Sequence, residues 1–543
     1  MRKLIIAATA AAVASVAAPR AADAFCGFYI NGAGSEMFND ATQVVLMRKG
    51  TRTVLSMQNN YKGPPDAFAM VIPVPSVLHE EDVKTLPADV FTRVDTMGAP
   101  RLVEYWEQDP CMRERYDRRP MAKMSGSGSG AGRGALADPA DDLGVTIEAK
   151  FEVGEYQILI LSATDSTGLE TWLTREKYQI PKGAAPFLRP YIEANMKFFV
   201  AKVDPKKVKF GADGRAALSP LRFHYDSEEF ALPIRLGLAN SSGTQDLIVS
   251  ILSPNQRYEV SNYKNITIPT NLDVKDSVRS NFGAFYAALF DRTVEKNPGA
   301  VVTEYAWMAT TCDPCPGPQL GMNDFLLLGA DVLDAPAGAA IATDRPMPPG
   351  RGRGGGGMAM NFVLTRLHAR YGKSITEDLV FKKADPIVGG REIRSGGGAG
   401  GKLEERASPS SVNNFQARYA IRHWWTGPIT CKSPRRGIWG GPPGRGRPGS
   451  TPALNLAFAP RNKASLPKYL VSNVPEIGVR AYKPRRKPRP VTPPKPMVEA
   501  PDPAPKPKGS PMAPLPSGGG VPVELALPGL VVAIAVLRRR RRA

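Results

Sequence analysis

Alternation of apolar and polar positions predicts most of the β-strands of this chain. The apolar run at 44–47 is followed by Lys49-Gly50, and apolar and polar side chains then alternate through 51–57. Two such runs joined by a short turn with glycine are typical of a β-hairpin. The same pattern predicts further strands at 68–74, 145–151, 156–161, 198–203, 221–224, 232–238, 247–252, 360–367 and 417–423.

Apolar residues at helical spacing predict a smaller number of helices. Thr167 and Glu170 form a capping-box pattern, and Leu169, Trp172 and Leu173 fall on one helical face. Strands outnumber helices and do not alternate strictly with them, which predicts an α+β fold with mainly antiparallel sheets, a few packed helices and Gly-rich loops. Two more helices are predicted at 188–196 and 278–289, the second stopped by Asn297-Pro298-Gly299.

Composition limits the class of protein. The chain has 543 residues, of which 42% are hydrophobic, with 52 glycines and 52 prolines. This apolar content can form a sizeable core, and it excludes a polytopic membrane protein and a wholly disordered chain. A collagen and a coiled coil are excluded as well, because the sequence lacks their repeats.

The N-terminus predicts export. Residues 1–24 combine a basic start, a small apolar stretch and Ala22-Asp23-Ala24, the pattern of a secretory signal peptide cleaved after Ala24. The mature chain would then begin at Phe25. The alternatives are a retained N-terminal helix and a lipid-modified Cys26, whose preceding residues fit a lipobox poorly.

The C-terminus predicts a membrane tether. Residues 481–520 contain 13 prolines, many alternating with Lys or Arg, which favours an extended polyproline stalk. The apolar segment 521–537 would be about 26 Å long as a helix, enough for a thin bilayer. A basic end at 538–543 with five arginines would stay cytoplasmic. The alternative is a disordered basic end.

Charge gives little support for nucleic-acid binding. The net charge is +20, but the segment from 481 onward holds 13 basic and 3 acidic residues, so half of the excess lies in the predicted stalk and anchor. No base-stacking aromatic residues are interleaved there. We therefore predict no nucleic-acid partner. Anionic envelope polymers, or another surface protein, fit an exported basic chain better.

Composition also suggests boundaries along the chain. The predicted parts are a signal peptide (1–24), an N-terminal β-rich part (25–120), a Gly/Ser-rich linker (121–141), a main α+β part (142–432) with flexible insertions near 346–357 and 395–405, a Gly/Pro/Arg-rich irregular part (433–480), a Pro/Lys-rich stalk (481–520), a transmembrane or sorting helix (521–537) and a basic end (538–543).

Several separated motifs occur in the order found in one bacterial family. They include Asn59-Asn60-Tyr61, 68–75, 165–173, 188–203, Tyr305-Ala306-Trp307, 364–368 and 418–423. On these motifs, residues 25–431 resemble the bacterial secreted family called domain of unknown function 2330. The resemblance implies export and one composite domain, and it implies no catalytic residue. The tail resembles C-terminal sorting tails of myxobacterial surface proteins, but it lacks their cysteine.

The cysteines are candidates for disulfides. An exported chain reaches a compartment in which disulfides persist. We predict disulfides among Cys111, Cys312, Cys315 and Cys431, with the connectivity open, and Cys26 as the odd cysteine. Cys312-x-x-Cys315 also has the spacing of a thiol–disulfide enzyme. However, Pro316-Gly317-Pro318 denies Cys315 a following helix, which such sites use to activate a thiol.

Other candidate residues are sparse. No catalytic, cofactor-binding or metal-binding residue is predicted, and no cofactor. None of the four histidines, His79, His224, His368 and His423, stands at metal-ligand spacing from another. A Cys312/Cys315/His site and the acidic turn 79–82 are the metal alternatives. Trp424-Trp425 with Trp439 would be either an exposed glycan-stacking surface or a loop anchor.

Together these features favour a non-enzymatic component of the cell envelope, anchored at its C-terminus in the periplasm or at the cell surface. Such a protein would bind or organise another envelope molecule. The two alternatives are a periplasmic thiol–disulfide enzyme that uses Cys312 and Cys315, and a protein that binds envelope glycans through its aromatic residues.

Overall fold

The structure, a computed structural model, describes most of the chain up to Tyr482. The chain divides into two compact units, Met1–Lys483 and Pro484–Ala543, and the second lies outside the described residues. So do the predicted signal peptide, Cys26, the linker at 121–141 and the insertion at 346–357. The described residues are 28–31, 38–62, 68–111, 144–176, 184–210, 215–239, 244–334, 361–372, 374–393, 402–443, 449–454, 456 and 464–482.

The described chain is rich in β-strands. In the first half they are β1 (Phe28–Asn31), β2 (Phe38–Lys49), β3 (Arg52–Lys62), β4 (Phe68–Val74), β5 (Val83–Thr85), β6 (Arg101–Glu107), β7 (Val145–Val153), β8 (Tyr156–Ala163), β9 (Lys197–Val203), β10 (Lys209–Phe210), β11 (Arg215–Ala217), β12 (Leu221–Asp226), β13 (Ala231–Leu232) and β14 (Gln245–Pro254). In the second half they are β15 (Arg257–Val260), β16 (Lys264–Thr267), β17 (Leu272–Asp273), β18 (Ala300–Met308), β19 (Phe362–Tyr371), β20 (Leu379–Ala384), β21 (Ile387–Gly389), β22 (Glu392–Ile393), β23 (Lys402–Leu403), β24 (Ser408–Pro409), β25 (Asn414–Gln416), β26 (Arg418–His423), β27 (Trp439–Gly440) and β28 (Ser450–Pro452).

Helices are fewer and mostly short. The α-helices of the described chain are α1 (Asp89–Gly98), α2 (Ser166–Arg175), α3 (Ala185–Glu193), α4 (Arg235–Ala239), α5 (Phe282–Lys296), α6 (Met322–Phe325) and α7 (Leu466–Tyr469). Short 3₁₀ turns lie at Glu80–Asp82, Pro205–Lys207, Asp276–Val278 and Pro475–Ile477, and a π turn at Leu326–Ala330.

None of the helices in the described part of the chain is long and apolar enough to cross a membrane. Among them α5 is the longest, with 15 residues. The predicted helix at 521–537 and the basic end at 538–543 lie outside the described residues. The membrane tether therefore stays a prediction.

A large central sheet organises the fold. Its strand order is β10-β11-β3-β2-β14-β19-β18-β25-β21-β24, with β12 beside β3 and β5, and β16 beside β18. The predicted hairpin is β2 and β3, in which Lys49 pairs with Arg52. Gly50 adopts a φ of 59° in this turn, a left-handed conformation that glycine reaches without steric cost. Most neighbouring strands are antiparallel, with parallel pairs at β2–β14, β16–β18 and β21–β25.

A second sheet packs against one face of the central sheet. It is antiparallel, with the order β1-β4-β9-β8-β7. Val44 and Leu46 of β2 share a buried cluster with Ile158 and Ile160 of β8. The far side of this second sheet is covered by α2 and α3, where Trp172 is buried. Side chains that alternate along each strand therefore fill two separate cores.

Helices cover the other face of the central sheet. Val45 and Met47 of β2 pack with Phe91 of α1. Phe285 and Tyr286 of α5 lie in a third buried cluster, with residues of β18 and of the C-terminal segment 464–482. The layers are thus helix, sheet, sheet and helix, an arrangement that covers most of both faces of the central sheet.

A third, smaller sheet has the order β17-β26-β6-β27, with β28 also beside β6. β26 runs parallel to both β6 and β17, whereas β27 and β28 are antiparallel to β6. The ring of Tyr419 in β26 meets that of Phe285 in α5 edge-on, with centroids 5.1 Å apart. This contact fixes β26 and β6 against the rest of the core.

The predicted fold class, α+β with mainly antiparallel sheets, is confirmed. One helix starts differently from the prediction. The residue that caps α2 is Asp165, whose carboxylate accepts the backbone N–H of Gly168 at 2.6 Å, and Thr167 lies inside the first turn. Asp165 is a stronger cap than threonine, so the helix begins two residues earlier.

The strand predicted at 232–238 is wrong. Only Ala231–Leu232 is extended there, and Arg235–Ala239 forms the short helix α4. The carboxylate of Asp378 accepts the backbone N–H groups of Ile234 (2.8 Å) and Arg235 (3.2 Å). These N–H groups open the helix and need a partner, which a residue distant in sequence supplies. Local alternation of apolar residues could not reveal this.

Candidate functional site

Three side chains, one of them exposed and two half-buried, lie next to one another on the third sheet. Arg422 of β26 lies opposite Tyr105 of β6, and Trp439 of β27 lies opposite Glu107. Because alternate residues of a strand share a face, Arg422 and Trp439 project to the same side. The guanidinium of Arg422 stacks over the Trp439 ring at 4.7 Å and over the Tyr105 ring at 5.3 Å.

Trp424 completes this group. It follows His423, the last residue of β26, and 60% of it is exposed to solvent. Its ring meets that of Trp439 edge-on, with centroids 4.9 Å apart and planes inclined by 73°. We call Arg422, Trp424 and Trp439 the tryptophan edge. An indole presented to water in this way offers an apolar face and an N–H donor for recognition.

The segment 425–437, called here the tryptophan loop, is held at both ends by Glu107. The Glu107 carboxylate is almost fully buried, and it accepts the backbone N–H groups of Trp425 (3.0 Å) and Gly437 (2.8 Å). Arg436 donates two further hydrogen bonds to it, at 2.8 and 2.7 Å. The Arg436 guanidinium and these N–H groups lower the pKa of Glu107 from 4.5 to about 2, against the effect of burial.

A disulfide holds the middle of the tryptophan loop. Cys111, just after β6, is bonded to Cys431, and their Cα atoms lie 5.4 Å apart. The backbone N–H of Arg435 also donates to the carbonyl of Pro110 at 2.9 Å. The loop is therefore fixed before any ligand arrives, which reduces the entropy lost on binding.

The tryptophan loop is basic. It contains Lys432, Arg435 and Arg436, and no acidic residue occurs between Trp424 and Gly437. All three basic residues are exposed. Glu107 neutralises part of this charge through Arg436. The loop as a whole nevertheless contains more basic than acidic residues, and a basic segment attracts anions.

His423 lies on the other face of β6 and β26, where it has a structural environment. Its ring stacks on Trp106 with centroids 4.5 Å apart, and its Nε2 lies 2.7 Å from the carboxylate of Glu104. Arg279 donates to both oxygens of the same carboxylate, at 2.8 and 2.7 Å, and lowers the pKa of Glu104 together with His423. His423 therefore has a structural role beneath the tryptophan edge.

Cys312 and Cys315 form a second disulfide in the loop that follows β18, with Cα atoms 4.9 Å apart. Both residues are half-buried. The pairing that the sequence left open is thus Cys111 with Cys431 and Cys312 with Cys315. The alternative of a Cys312/Cys315/His metal site would need a histidine nearby. His224 and His368, the two histidines nearest the core, do not lie in this loop.

A metal site is not assembled by the described residues. Within them, no group of three or more His, Cys, Asp or Glu side chains comes together as metal ligands would. In the acidic turn, the Asp82 carboxylate accepts the backbone N–H of His79 at 2.9 Å and lies 3.2 Å from Nε2 of His224. His368 is buried and places Nδ1 2.7 Å from Glu304.

The fold and these sites define a disulfide-linked α+β protein with a fixed aromatic surface. A family model described as an uncharacterized protein conserved in bacteria, domain of unknown function 2330, matches residues 20–382. The match covers well over half of the chain, so the chain belongs to this family, as its motifs predicted. No curated protein and no solved structure matches the chain. Cys111, Cys312 and Cys315 lie within the matched residues, and the tryptophan loop lies beyond them.

The sequence could indicate only part of this site. The tryptophan pair was visible, but two roles were open for it. The structure separates them, since Trp424 is exposed whereas the backbone of Trp425 anchors the loop to Glu107. Glu107 and Arg422 carried no signal in the sequence, because their strands, β6 and β26, pair across more than 300 residues.

Proposed function

We propose that this chain is an exported, membrane-tethered envelope protein that binds an anionic envelope glycan at the tryptophan edge. The observation that carries the proposal is the 60% exposure of Trp424 beside a loop held by Glu107 and a disulfide. Trp424 and Trp439 are in contact, and adjoining aromatic side chains that reach the surface form the kind of patch that marks interaction sites.

The chemistry of a sugar fits this surface. A pyranose ring presents a face of C–H groups, which stacks on an indole, and hydroxyl groups at its rim, which need hydrogen-bond partners. Trp424 provides the ring, and the edge-on contact with Trp439 fixes its orientation. Arg422, held by Asp273 at 2.9 Å, adds N–H donors next to the Trp439 ring.

The charge of the tryptophan loop favours an acidic polymer over a neutral one. Lys432, Arg435 and Arg436 lie along the loop that begins next to Trp424. Carboxylate or phosphate groups spaced along a polysaccharide would meet these cations, and binding would then weaken as salt rises. The same polymers are abundant at the address that the two ends of the sequence predict.

Export and tethering are supported by the sequence alone. Residues 1–24 have the pattern of a signal peptide, and 481–543 combine a Pro-rich stalk, an apolar segment and an arginine cluster. Removal of 481–543 should release the protein into the soluble fraction. Continued membrane association of the shortened chain would contradict the tether.

The binding proposal is tested by retention on polysaccharides. The full chain and its Trp424→Ala variant are compared by affinity electrophoresis in gels that contain a polyuronate, a neutral dextran or no polymer. We expect the polyuronate to retard the parent chain and Trp424→Ala to lose at least about tenfold in affinity, which corresponds to about 1.4 kcal/mol. Salt at 0.5 M should weaken the retardation of the parent chain.

Tyr482→Ala is the matched control, because Tyr482 is also an exposed aromatic residue, 54% accessible, and belongs to the C-terminal segment 464–482 and not to the tryptophan loop. It should bind as the parent does. Equal retardation of all three proteins would show that the tryptophan edge is not the site. Absence of retardation by the polyuronate and by isolated envelope polysaccharide would overturn glycan binding altogether.

A further inference from the structure

A second site, independent of the proposed glycan surface, lies in the loop between β18 and α6. Residues 309–320 leave the sheet and return, and the backbone N–H of Leu320 donates to the carbonyl of Ala309 at 3.3 Å. Cys312 and Cys315 are bonded to each other inside this loop. The disulfide therefore joins two points of a segment whose ends are already closed by hydrogen bonding.

The Cys312–Cys315 disulfide contributes little to the stability of the fold. The stabilisation that a disulfide gives through the unfolded chain grows with the logarithm of the loop that it closes. Cys111 and Cys431 are 320 residues apart, whereas Cys312 and Cys315 are three apart. The first bond closes a loop of 320 residues, and the second closes a single turn.

The peptide groups between the two cysteines rest on a rigid, buried support. Gln416, which is fully buried, donates from Nε2 to the carbonyl of Asp313. Arg101, also fully buried, donates from its guanidinium to the carbonyl of Pro314 at 3.1 Å. These bonds do not involve the sulfur atoms, so they can hold the peptide groups of the loop in place when the disulfide is reduced.

The support is also positively charged. Arg101 donates to the backbone carbonyls of Met97 and Pro314, and its guanidinium stacks over the ring of Tyr305 at 5.2 Å. The guanidinium of Arg101 therefore lies beneath the loop, where the carboxylate of Asp313, between the two cysteines, offsets part of its charge. A nearby cation favours a thiolate, which supplies part of the activation that a helix N-terminus gives elsewhere.

Gln319, a surface residue, donates a hydrogen bond to one of the two sulfur atoms. Nε2 of Gln319, an exposed residue, lies 3.3 Å from Sγ of Cys315. An amide donor at this distance stabilises negative charge on sulfur. It therefore makes Cys315 the better leaving group when the disulfide is attacked.

We propose that Cys312 and Cys315 form a redox-active disulfide that oxidises the thiols of an exported partner. A partner thiolate bonds to one sulfur as the Cys312–Cys315 bond breaks, and the other sulfur leaves as a thiolate. A second thiolate of the partner then attacks the mixed disulfide. The partner loses two electrons and gains a disulfide, and Cys312 and Cys315 become thiols that another disulfide reoxidises.

The first experiment uses the second disulfide of the same molecule as its control. The oxidised full chain is equilibrated with glutathione buffers of increasing reducing strength, alkylated and digested, and each disulfide is read by mass spectrometry. We expect the equilibrium constant for reduction by glutathione to be at least tenfold larger for Cys312–Cys315 than for Cys111–Cys431, a difference of about 30 mV. If both disulfides were reduced in the same glutathione buffer, at the same redox potential, the proposal would be overturned.

A second experiment identifies the class of thiol that reduces Cys312–Cys315. Reduced, unfolded ribonuclease is added in place of glutathione, and its oxidation is followed together with the loss of Cys312–Cys315. Oxidation of the ribonuclease supports a protein dithiol as the substrate, and exchange with glutathione alone supports a small thiol. An intact Cys312–Cys315 bond in both experiments would exclude exchange at this site.

Variants test whether thiol–disulfide exchange depends on Cys312 and Cys315 or on the fold as a whole. Cys312→Ser with Cys315→Ser should abolish exchange, whereas Cys111→Ser with Cys431→Ser should leave it in place. Gln319→Ala should slow exchange about threefold, the effect of one weak hydrogen bond. Gln157→Ala, at another exposed glutamine, should not change the rate. Equal rates for the two glutamine variants would remove Gln319 from the mechanism.

Discussion

The free energy of unfolding should depend strongly on Glu304, which lies in β18 with no exposure to solvent. Its carboxylate accepts hydrogen bonds from the Tyr286 hydroxyl (2.6 Å) and from Nε of Arg366 (2.8 Å), and it lies 2.7 Å from Nδ1 of His368. Burial alone would raise the pKa of Glu304. Attraction to His368 and Arg366, together with these hydrogen bonds, instead lowers it from 4.5 to about 2.

The size of the effect follows from that shift. A fall from 4.5 to about 2 is worth about 3 kcal/mol, since each pKa unit corresponds to about 1.4 kcal/mol. Because the pKa of Glu304 is lower in the folded chain, the stabilisation is complete above about pH 4.5. It is then lost as the pH falls through about 2.

Glu304→Gln removes the charge and keeps the shape of the side chain. We expect the free energy of unfolding at pH 7 to fall by about 3 kcal/mol, because Arg366 loses one of its two carboxylate partners. The difference between the parent and the variant should shrink steadily between pH 4.5 and pH 2. Urea denaturation followed by tryptophan fluorescence, at several pH values and with the disulfides intact, measures both quantities.

Glu295→Gln is the control. Glu295 lies on α5 and pairs with Arg292 at 2.8 Å in full contact with water. Its substitution should change the unfolding curves little at any pH. If Glu304→Gln were as stable as the parent at pH 7, or if the difference did not shrink in acid, then Glu304 would not be held ionised by its neighbours.

Two further predictions concern stability. Replacing Cys111 and Cys431 by serine should lower the free energy of unfolding, measured by urea denaturation, by about 6 kcal/mol in the loop-entropy account, since the bond spans 320 residues. It should also weaken polyuronate binding in affinity electrophoresis, and unchanged binding would show that the disulfide is not needed to hold the loop. Asp165→Ala should cost about 1 kcal/mol through loss of the cap on α2, whereas Thr167→Ala should cost much less; the reverse order in thermal unfolding would favour the cap predicted from the sequence.

Sequence pattern predicted the strands well where short turns set their pairing. In the hairpin of β2 and β3, Gly50 marks the turn, and both faces of β2 carry apolar residues that fill separate cores. The pair β7 and β8 follows the same rule at Gly154, whose φ is 60°. These contacts are local, so the information for them lies within about twenty residues of sequence.

Prediction failed where a distant side chain decided the local structure. The alternating apolar residues at 232–238 suggested a strand, but Asp378 caps the first N–H groups of α4 across more than 140 residues. The segment 464–482 gave no periodic signal either, yet Leu466, Leu470 and Ile477 are buried against α5. Both outcomes depend on tertiary contacts, which override weak local preference.

Only part of the candidate site could be predicted from the sequence, for a related reason. Tryptophans and cysteines can be counted in a sequence, but exposure and disulfide pairing depend on which strands become neighbours. The parallel register of β6 with β26 brings Tyr105 opposite Arg422 and sets Glu107 beneath the loop that begins at Trp425. No pattern within either segment specifies that register.

The two proposed activities depend on opposite ends of one strand. Arg101 opens β6 and donates to the loop of Cys312 and Cys315, whereas Glu107 ends it and holds the tryptophan loop. Six residues of extended chain separate their Cα atoms by about 20 Å. Substitutions that far apart, with no shared partner, act additively. Trp424→Ala should therefore leave thiol exchange intact, and Gln319→Ala should leave glycan binding intact, so either proposal can fail while the other stands.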